Sequence, residues 1–200
     1  MSPGESATAN PPARNRTVPR ARRGAMLLAR AAACLVVGTL WHELVGHGLV
    51  GVALGGRIES ADVLGVQVWP RVAWGGWKWM YGHCNVSGVP AARDAWVNLG
   101  GSLSTFTVGV TATLLLRRRR WGRAKRRLLA WLSIWWLDLF RYSLPALGLP
   151  AIRLLVPRYS EPFEAARELG MPGAGYIALL LCSALLLARA TIRHARAGAF

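Results

Sequence analysis

Charged side chains are scarce in this chain, and acidic side chains are the scarcest. Only 17% of the 200 residues are charged, and 9 aspartates and glutamates stand against 25 lysines and arginines. Cysteine is also rare: Cys34 and Cys182 lie within apolar segments, and Cys84 lies in a polar one. Three cysteines placed in this way do not form a disulfide framework. The low charge and the lack of disulfides leave apolar burial as the main determinant of the fold.

The apolar residues, 53% of the chain, are grouped into four blocks separated by polar or basic segments. Each block is long enough to cross a bilayer, which requires about 20 apolar residues in a helix. The pattern predicts an all-α polytopic membrane protein with one membrane domain over residues 25–192. We expect about four transmembrane helices, near residues 31–54, 95–116, 128–150 and 174–192.

The net charge of +16 comes from arginines that flank the apolar blocks. This placement indicates membrane topology and not a nucleic-acid surface, because basic segments stay on the cytoplasmic side. We therefore expect both termini to be cytoplasmic, with residues 1–24 as a disordered basic tail and residues 193–200 as a second tail. Segments 57–94 and 151–173 would then face outward. The clusters that set this topology are Arg14, Arg16, Arg20, Arg22 and Arg23, then Arg117 to Arg120, Arg123, Lys125, Arg126 and Arg127.

The outer segment 57–94 is rich in tryptophan and glycine. Residues 66–69 alternate in polarity, and residues 72–74 are joined to residues 77–79 through Gly75 and Gly76. Two short runs around a Gly-Gly pair predict a β-hairpin. Its tryptophans favour either a position at the membrane interface or a role in substrate binding.

The first predicted span contains the sequence His-Glu-Leu-Val-Gly-His, from His42 to His47. His42 follows Ala31 by 11 residues, and Asp138 follows Leu128 by 10 in a helix of the same predicted direction. Both therefore lie about 15–17 Å from the inner edge, near the bilayer centre. Ionisable groups at that depth are costly unless they are paired, metal-bound or hydrated, so they are candidates for function.

The spacing of the two histidines differs from that of the common zinc motif. In HExxH the histidines are one helical turn apart and the glutamate activates a metal-bound water. Here the motif is HExxxH, so His42 and His47 would point about 140° apart on an ideal α-helix. A one-residue π-bulge would align them, or Glu43 and His47 would be the ligands instead. The alternative without metal is that these groups hydrogen-bond to each other or pair with Arg141.

The third metal ligand has two candidates in the sequence. Asp138 lies at the depth of His42, although Arg141 at i+3 offers it an ordinary intrahelical ion pair. His83, beside Cys84 in the outer segment, would reach the site only if that segment folds back into the membrane. We take Asp138 as the predicted ligand.

With these residues in place, the chain resembles the site-2-protease group of intramembrane zinc metalloproteases, the M50-type peptidases. The resemblance covers roughly residues 35–150 and rests on three features: the His42–Gly48 motif, a glycine-rich segment that begins at Gly55, and Leu137-Asp138 in a later span. The family has Leu-Asp-Gly at the last feature, where this chain has Leu139 in place of glycine. A similar lengthened motif, His-Glu-x-x-Gly-His, occurs in the soluble dipeptidyl-peptidase III family.

The resemblance implies that His42, His47 and Asp138 bind Zn²⁺ and that Glu43 is the general base. It implies an endopeptidase of a bacterial cell membrane that cleaves membrane-protein or peptide substrates within the lipid. Two other functions remain open from the sequence. One is an inactive family member that binds membrane-protein partners, and the other is a protein that handles metal ions or protons through its histidines and carboxylates.

Overall fold

The computed structural model describes residues 20–75, 82–118, 121–149 and 159–198. Helices make up most of these residues, and a small antiparallel sheet follows the first helical segment. In chain order the helices are α1 (Arg20–Leu40), a π-helix (Trp41–Leu49), α2 (Val50–Ala53), α3 (Asp94–Leu116), α4 (Arg123–Ser133), α5 (Trp136–Ser143), α6 (Glu161–Glu168) and α7 (Gly173–Arg196). The strands are β1 (Arg57–Val63), β2 (Val66–Trp69), β3 (Ala73–Trp74) and β4 (His83–Ser87), and short 3₁₀ turns occupy Ala91–Arg93 and Leu144–Leu147.

Three helical segments are long and apolar enough to cross a membrane: Gly24–Ala53, Ala91–Leu116 and Gly173–Arg196. Their bounds agree closely with three of the predicted spans. The helix begins at Arg20, however, so the last residues of the predicted N-terminal tail are helical; the rest of that tail lies outside the described residues. Residues 193–196 of the predicted C-terminal tail likewise complete α7.

The predicted count of four spans is not confirmed, because the third apolar block is not one helix. It consists of α4 and α5, joined by a turn at Ile134 and Trp135. The backbone N–H groups of Trp135, Leu137 and Asp138 each donate to the carbonyl three residues earlier, which is the tighter 3₁₀ pattern. The break therefore occurs one turn before Asp138.

Close packing against two neighbours accompanies this break. A Cβ built at Gly109 of α3 would lie 2.5 Å from the backbone nitrogen of Trp136, so α3 and α5 meet backbone to backbone. On the other side, the Trp135 indole lies over Gly38 of α1 and donates a hydrogen bond to Cys34 Sγ at 3.1 Å. Apolarity predicts burial of this block, but these contacts are tertiary and do not follow from the block's composition.

The sheet is larger than the hairpin that the sequence predicts. Its order is β3-β2-β1-β4, all antiparallel, and β2 pairs with β3 through Val66 opposite Trp74. The second run of the predicted hairpin, residues 77–79, lies outside the described residues. Trp69 and Trp74 are 48% and 62% exposed, as expected for interfacial side chains.

Glycines let this sheet lie directly on the first membrane helix. A Cβ at Gly48 would lie 2.7 Å from Ile58 of β1, and a Cβ at Gly51 would lie 2.5 Å from Val86 of β4. Larger residues at either position would push the sheet away. The outer segment therefore folds back onto the π-helix that carries His42 and His47.

The short helix α6 packs against α3, α5 and α7. Its buried face is formed by Pro162, Ala165 and Ala166, and Ala166 joins Tyr176 and Leu180 of α7 in an apolar cluster. Tyr176 also shares a 2.6 Å hydrogen bond with Ser143 at the end of α5. These contacts fix the beginning of α6, and thus Glu161, against the bundle.

We predict that Gly109→Ala destabilises the protein by about 1–3 kcal/mol, the usual cost of overpacking. The added methyl would meet backbone atoms of Trp135 and Trp136, which cannot move aside as a flexible side chain would. Gly175→Ala is the matched control, because a Cβ at Gly175 of α7 would meet nothing within 4 Å. Thermal unfolding in detergent measures both. Equal midpoints for the two variants would contradict the close α3–α5 contact.

Candidate metal centre

The π-helix turns His42 and His47 to the same side of the first membrane segment. It spans Trp41–Leu49 and includes both histidines, which are 1% and 6% exposed. The i→i+5 repeat of a π-helix brings residues five apart onto one face. Their Nε2 atoms lie 3.1 Å apart as a result. Of the two alternatives that the HExxxH spacing left open, the structure therefore shows the π-type distortion, here over nine residues.

Each imidazole is held through its other ring nitrogen. Nδ1 of His47 lies 2.7 Å from the backbone carbonyl oxygen of Val97, which can only accept a hydrogen bond. Nδ1 of His42 lies 2.6 Å from Oδ2 of Asp138, and this oxygen also accepts a hydrogen bond from Thr105 Oγ1 at 2.8 Å. Both Nδ1 atoms are therefore assigned as donors, which leaves both Nε2 atoms as acceptors when the rings are neutral.

Two acceptor nitrogens 3.1 Å apart and buried repel each other unless a cation lies between or beside them. A proton or a metal ion would meet that requirement. Carbonyl and carboxylate groups on the opposite ring nitrogen are the usual supports of metal-binding histidines, because they fix the tautomer and the ring orientation. The arrangement therefore has the form expected of a pair of metal ligands.

Glu161 completes a cluster of three donors. Its Oε2 lies 3.5 Å from Nε2 of His47, and one donor atom from each of His42, His47 and Glu161 lies within 4.8 Å of the others. Ligands of a tetrahedral zinc site, with bonds of about 2.0–2.1 Å, are separated by roughly 3.3 Å. Small movements of the Glu161 side chain would satisfy that spacing, so the three residues fit a metal ion.

The charge state of Glu161 also suits a ligand. Burial raises the pKa of its carboxyl group, but the hydrogen bond and charge of His47, with the charge of His42, outweigh burial and leave the pKa below its ordinary value. A positive charge at this point, from a proton on His47 or from a metal ion, therefore favours the ionised carboxylate, which is the form that binds metal.

Glu43 lies beside the cluster and is 2% exposed. The chain returns to it at Gly82, where a Cβ would collide with the Glu43 carboxylate. Gly82 has φ +112°, a conformation that side-chain-bearing residues rarely adopt. The outer segment therefore folds back to the membrane site, and it brings a glycine against Glu43.

Gly101 of α3 forms the wall next to the two histidines. A Cβ at this position would lie 2.5 Å from Nε2 of His42 and would also overlap Nε2 of His47. The missing side chain leaves space at the atoms that would bind a metal. Next to it, Gly100 and Gly46 pack so closely that a Cβ on Gly100 would lie 2.5 Å from the Gly46 carbonyl oxygen. The glycines of α3 thus serve both packing and the site.

Tyr142 covers the other side of His42. Its ring stacks on the His42 ring, with centroids 4.6 Å apart and an interplanar angle of 16°, and it is 4% exposed. The Arg141 guanidinium lies 4.7 Å from the Tyr142 ring centroid. No ion pair within 4.0 Å between described residues joins Arg141 to Asp138, to Glu43 or to the histidines, although the charge of Arg141 does act on Asp138.

The structure does not bring all of the candidate residues to one point. His42 and His47 meet at their Nε2 atoms, and Glu43 lies beside them. Asp138 contacts Nδ1 of His42 and is outside the three-residue cluster, so its role as a ligand stays a prediction. His83 lies on β4 opposite Asp62 and is also outside the cluster.

Sequence reasoning missed Glu161, which falls in the segment predicted as an outer loop. The available signal was local: Glu161 precedes a proline and begins an amphipathic run, which is typical of a helix start. It is also one of only 9 acidic residues in the chain. Neither observation predicts which helix α6 contacts. Comparison with protein-family models, curated proteins and solved structures finds no match to the chain, so the assignment depends on geometry.

We predict that Gly101→Ala lowers metal affinity by at least about ten-fold, as disturbance around ligands commonly does. The methyl group would occupy the space at the two Nε2 atoms without removing any donor. Elemental analysis of purified protein measures bound metal. Thr107→Ala is the control, since Thr107 is an exposed residue of the same helix. Unchanged metal content in Gly101→Ala would place the ion elsewhere.

Proposed function

We propose that the chain is a zinc-dependent intramembrane endopeptidase with site-2-protease-like chemistry. In this proposal His42, His47 and Glu161 hold the ion and Glu43 is the general base. The observation that carries it is the π-helix, which brings two buried imidazole nitrogens together beside Glu161. A π-helix is rare and frequently occurs at functional sites.

The donor set supports zinc among the common metals. Two imidazole nitrogens and one carboxylate are a typical set for catalytic zinc, which keeps a fourth position open for water or substrate. Calcium and magnesium prefer sites made wholly of oxygen ligands. This set differs from the one that the family resemblance implies, since a glutamate from α6 takes the place proposed for Asp138.

Zinc bound here would act as a Lewis acid and make a bound water acidic near neutral pH. The remaining steps belong to the side chains. Asp138 and the Val97 carbonyl keep the Nε2 lone pairs directed at the site. Glu43, which is not in the donor cluster, would accept a proton from water and return it to the leaving amine. Removal of such a base usually costs about 10²–10⁴-fold in rate.

A site within the membrane would determine the class of substrate. His42 lies 11 residues before Ala53, the end of the first candidate span, so the site is about 17 Å below that end. Peptide bonds reach this depth in the transmembrane segments of other proteins, or in peptides that enter between the helices. The substrates would therefore be membrane proteins or membrane-associated peptides.

We predict that Glu161→Gln loses most bound zinc, because a neutral amide is a much weaker zinc ligand than a carboxylate. Glu164→Gln, on the exposed face of the same helix, should keep it. Zinc is measured by mass spectrometry after purification in detergent without chelator.

An Asp138→Asn variant separates the two candidate third ligands. If Asp138 only orients His42, the variant should bind zinc about 10–100-fold more weakly and still fill at high zinc concentration. The opposite result would be loss of zinc from Asp138→Asn and full zinc occupancy in Glu161→Gln. It would assign the ligand role to Asp138 and overturn the Glu161 assignment.

We predict that Glu43→Gln retains zinc but loses proteolysis. Cells that express the wild-type chain should accumulate new protein N-termini within or next to transmembrane segments, and cells that express Glu43→Gln should not. Amino-terminal proteomics of membrane fractions measures this difference for all membrane proteins at once, so the substrate does not have to be identified beforehand.

Glu164→Gln again serves as the control and should give the wild-type set of N-termini. The same new N-termini in wild type and Glu43→Gln would sink the peptidase proposal. A filled zinc site without any cleavage would favour an inactive partner-binding protein or a metal-handling protein, and zinc flux into proteoliposomes would then separate those two.

A further inference from the structure

One end of the helical bundle, distant from the metal centre, is strongly cationic. The C-terminal ends of α3 and α7 meet the N-terminal end of α4 there, and the Arg126 Nη2 group donates to the Ala197 carbonyl oxygen at 3.5 Å. Arg117 directly follows α3, Arg126 lies in α4 and Arg193 lies in α7. The charges of all three act on the His194 imidazole of α7, so the three arginines lie near one another. We call this surface the basic end. Its cationic residues are Arg117, Arg118, Arg123, Lys125, Arg126, Arg127, Arg193 and Arg196.

Nothing acidic balances the basic end among the residues that the structure describes. Asp138 contacts α3 at Thr105, and Thr105 precedes Arg117 by 12 residues, or about 18 Å along the helix. The remaining described carboxylates lie at the start of α3, in the sheet, at the metal centre or in α6. Helix dipoles contribute little: two C-terminal ends and one N-terminal end sum to about −0.5 charge, against eight cations.

Such a cluster of like charges at the end of a membrane bundle favours an anion that bridges the helices. Guanidinium groups offer several N–H donors in a planar arrangement that suits phosphate oxygens. Trp121, a residue type common at the membrane interface, lies in the same region, with Lys125 Nζ 5.5 Å from its ring centroid. Basic pockets between transmembrane helices bind the headgroups of anionic lipids in the adjoining leaflet.

We propose that the basic end is a binding site for the phosphate headgroup of an anionic phospholipid, formed jointly by the ends of α3, α4 and α7. The headgroup would neutralise Arg117, Arg126 and Arg193 and would tie the three helix ends together. This inference is independent of the proposed peptidase function, because it uses no residue of the metal centre.

The test compares spin-labelled phosphatidylglycerol with spin-labelled phosphatidylcholine around the full-length protein in bilayers. Electron paramagnetic resonance measures the fraction of each lipid that the protein immobilises. Wild type should prefer phosphatidylglycerol, and the double variant Arg126→Gln/Arg193→Gln should reduce that preference at least about three-fold. The matched control, Arg22→Gln/Arg30→Gln, removes the same charge from α1 and should keep the wild-type preference.

Two results would overturn the site. Equal association of both lipids with wild type would show that the basic end binds no anionic headgroup, and an equal loss in the control would show a general charge effect. Inorganic phosphate, compared with sodium chloride at equal ionic strength, distinguishes the source of the phosphate. Stabilisation of the protein by inorganic phosphate beyond that by chloride, together with equal association of both lipids, would assign the surface to a soluble anion and reject the lipid.

Discussion

The contact between the Nε2 atoms of His42 and His47 is the interaction on which the rest of the site depends. An α-helix would direct the two imidazoles apart, and the π-helix brings them together within a segment long enough to span a bilayer. In a bilayer each imidazole nitrogen would need a partner, because unpaired polar groups in lipid are costly. Each imidazole is accordingly held at Nδ1, by Asp138 or by the Val97 carbonyl, and the two Nε2 atoms are left for a shared cation.

Small residues make that geometry sterically feasible. Gly46 and Gly100 allow the π-helix and α3 to touch, and Gly101 leaves space at the two Nε2 atoms. Gly48 and Gly51 let the sheet lie on the same helix, and Gly82 returns the chain to Glu43. Membrane helices commonly use small residues to approach closely, since lipid gives no hydrophobic drive for association. Here the same glycines also shape the site, so together they serve both packing and the geometry of the candidate metal centre.

The distribution of charge divides the described part of the molecule into two regions. The described carboxylates lie at the metal centre, in α6, in the sheet or at the start of α3, while eight cationic residues lie where the ends of α3, α4 and α7 meet. This separation is consistent with both proposals, a metal site enclosed by helices and a distant basic end that contacts anionic lipid headgroups. The scarcity of acidic residues therefore affects both regions: it leaves few candidates for ligands and leaves the basic end without internal compensation.

The sequence by itself predicted helices long enough to cross a membrane, and it offered a π-type distortion as one of two ways to reconcile the spacing of His42 and His47 with a shared site. These follow from local periodicity and from the fixed rise of a helix, which composition and spacing report directly. Tertiary structure alone decided the break between α4 and α5, the four-stranded sheet and the arrival of Glu161 beside His47. These features depend on which surfaces pack together. The sequence around Glu161 does not show which helices α6 will contact.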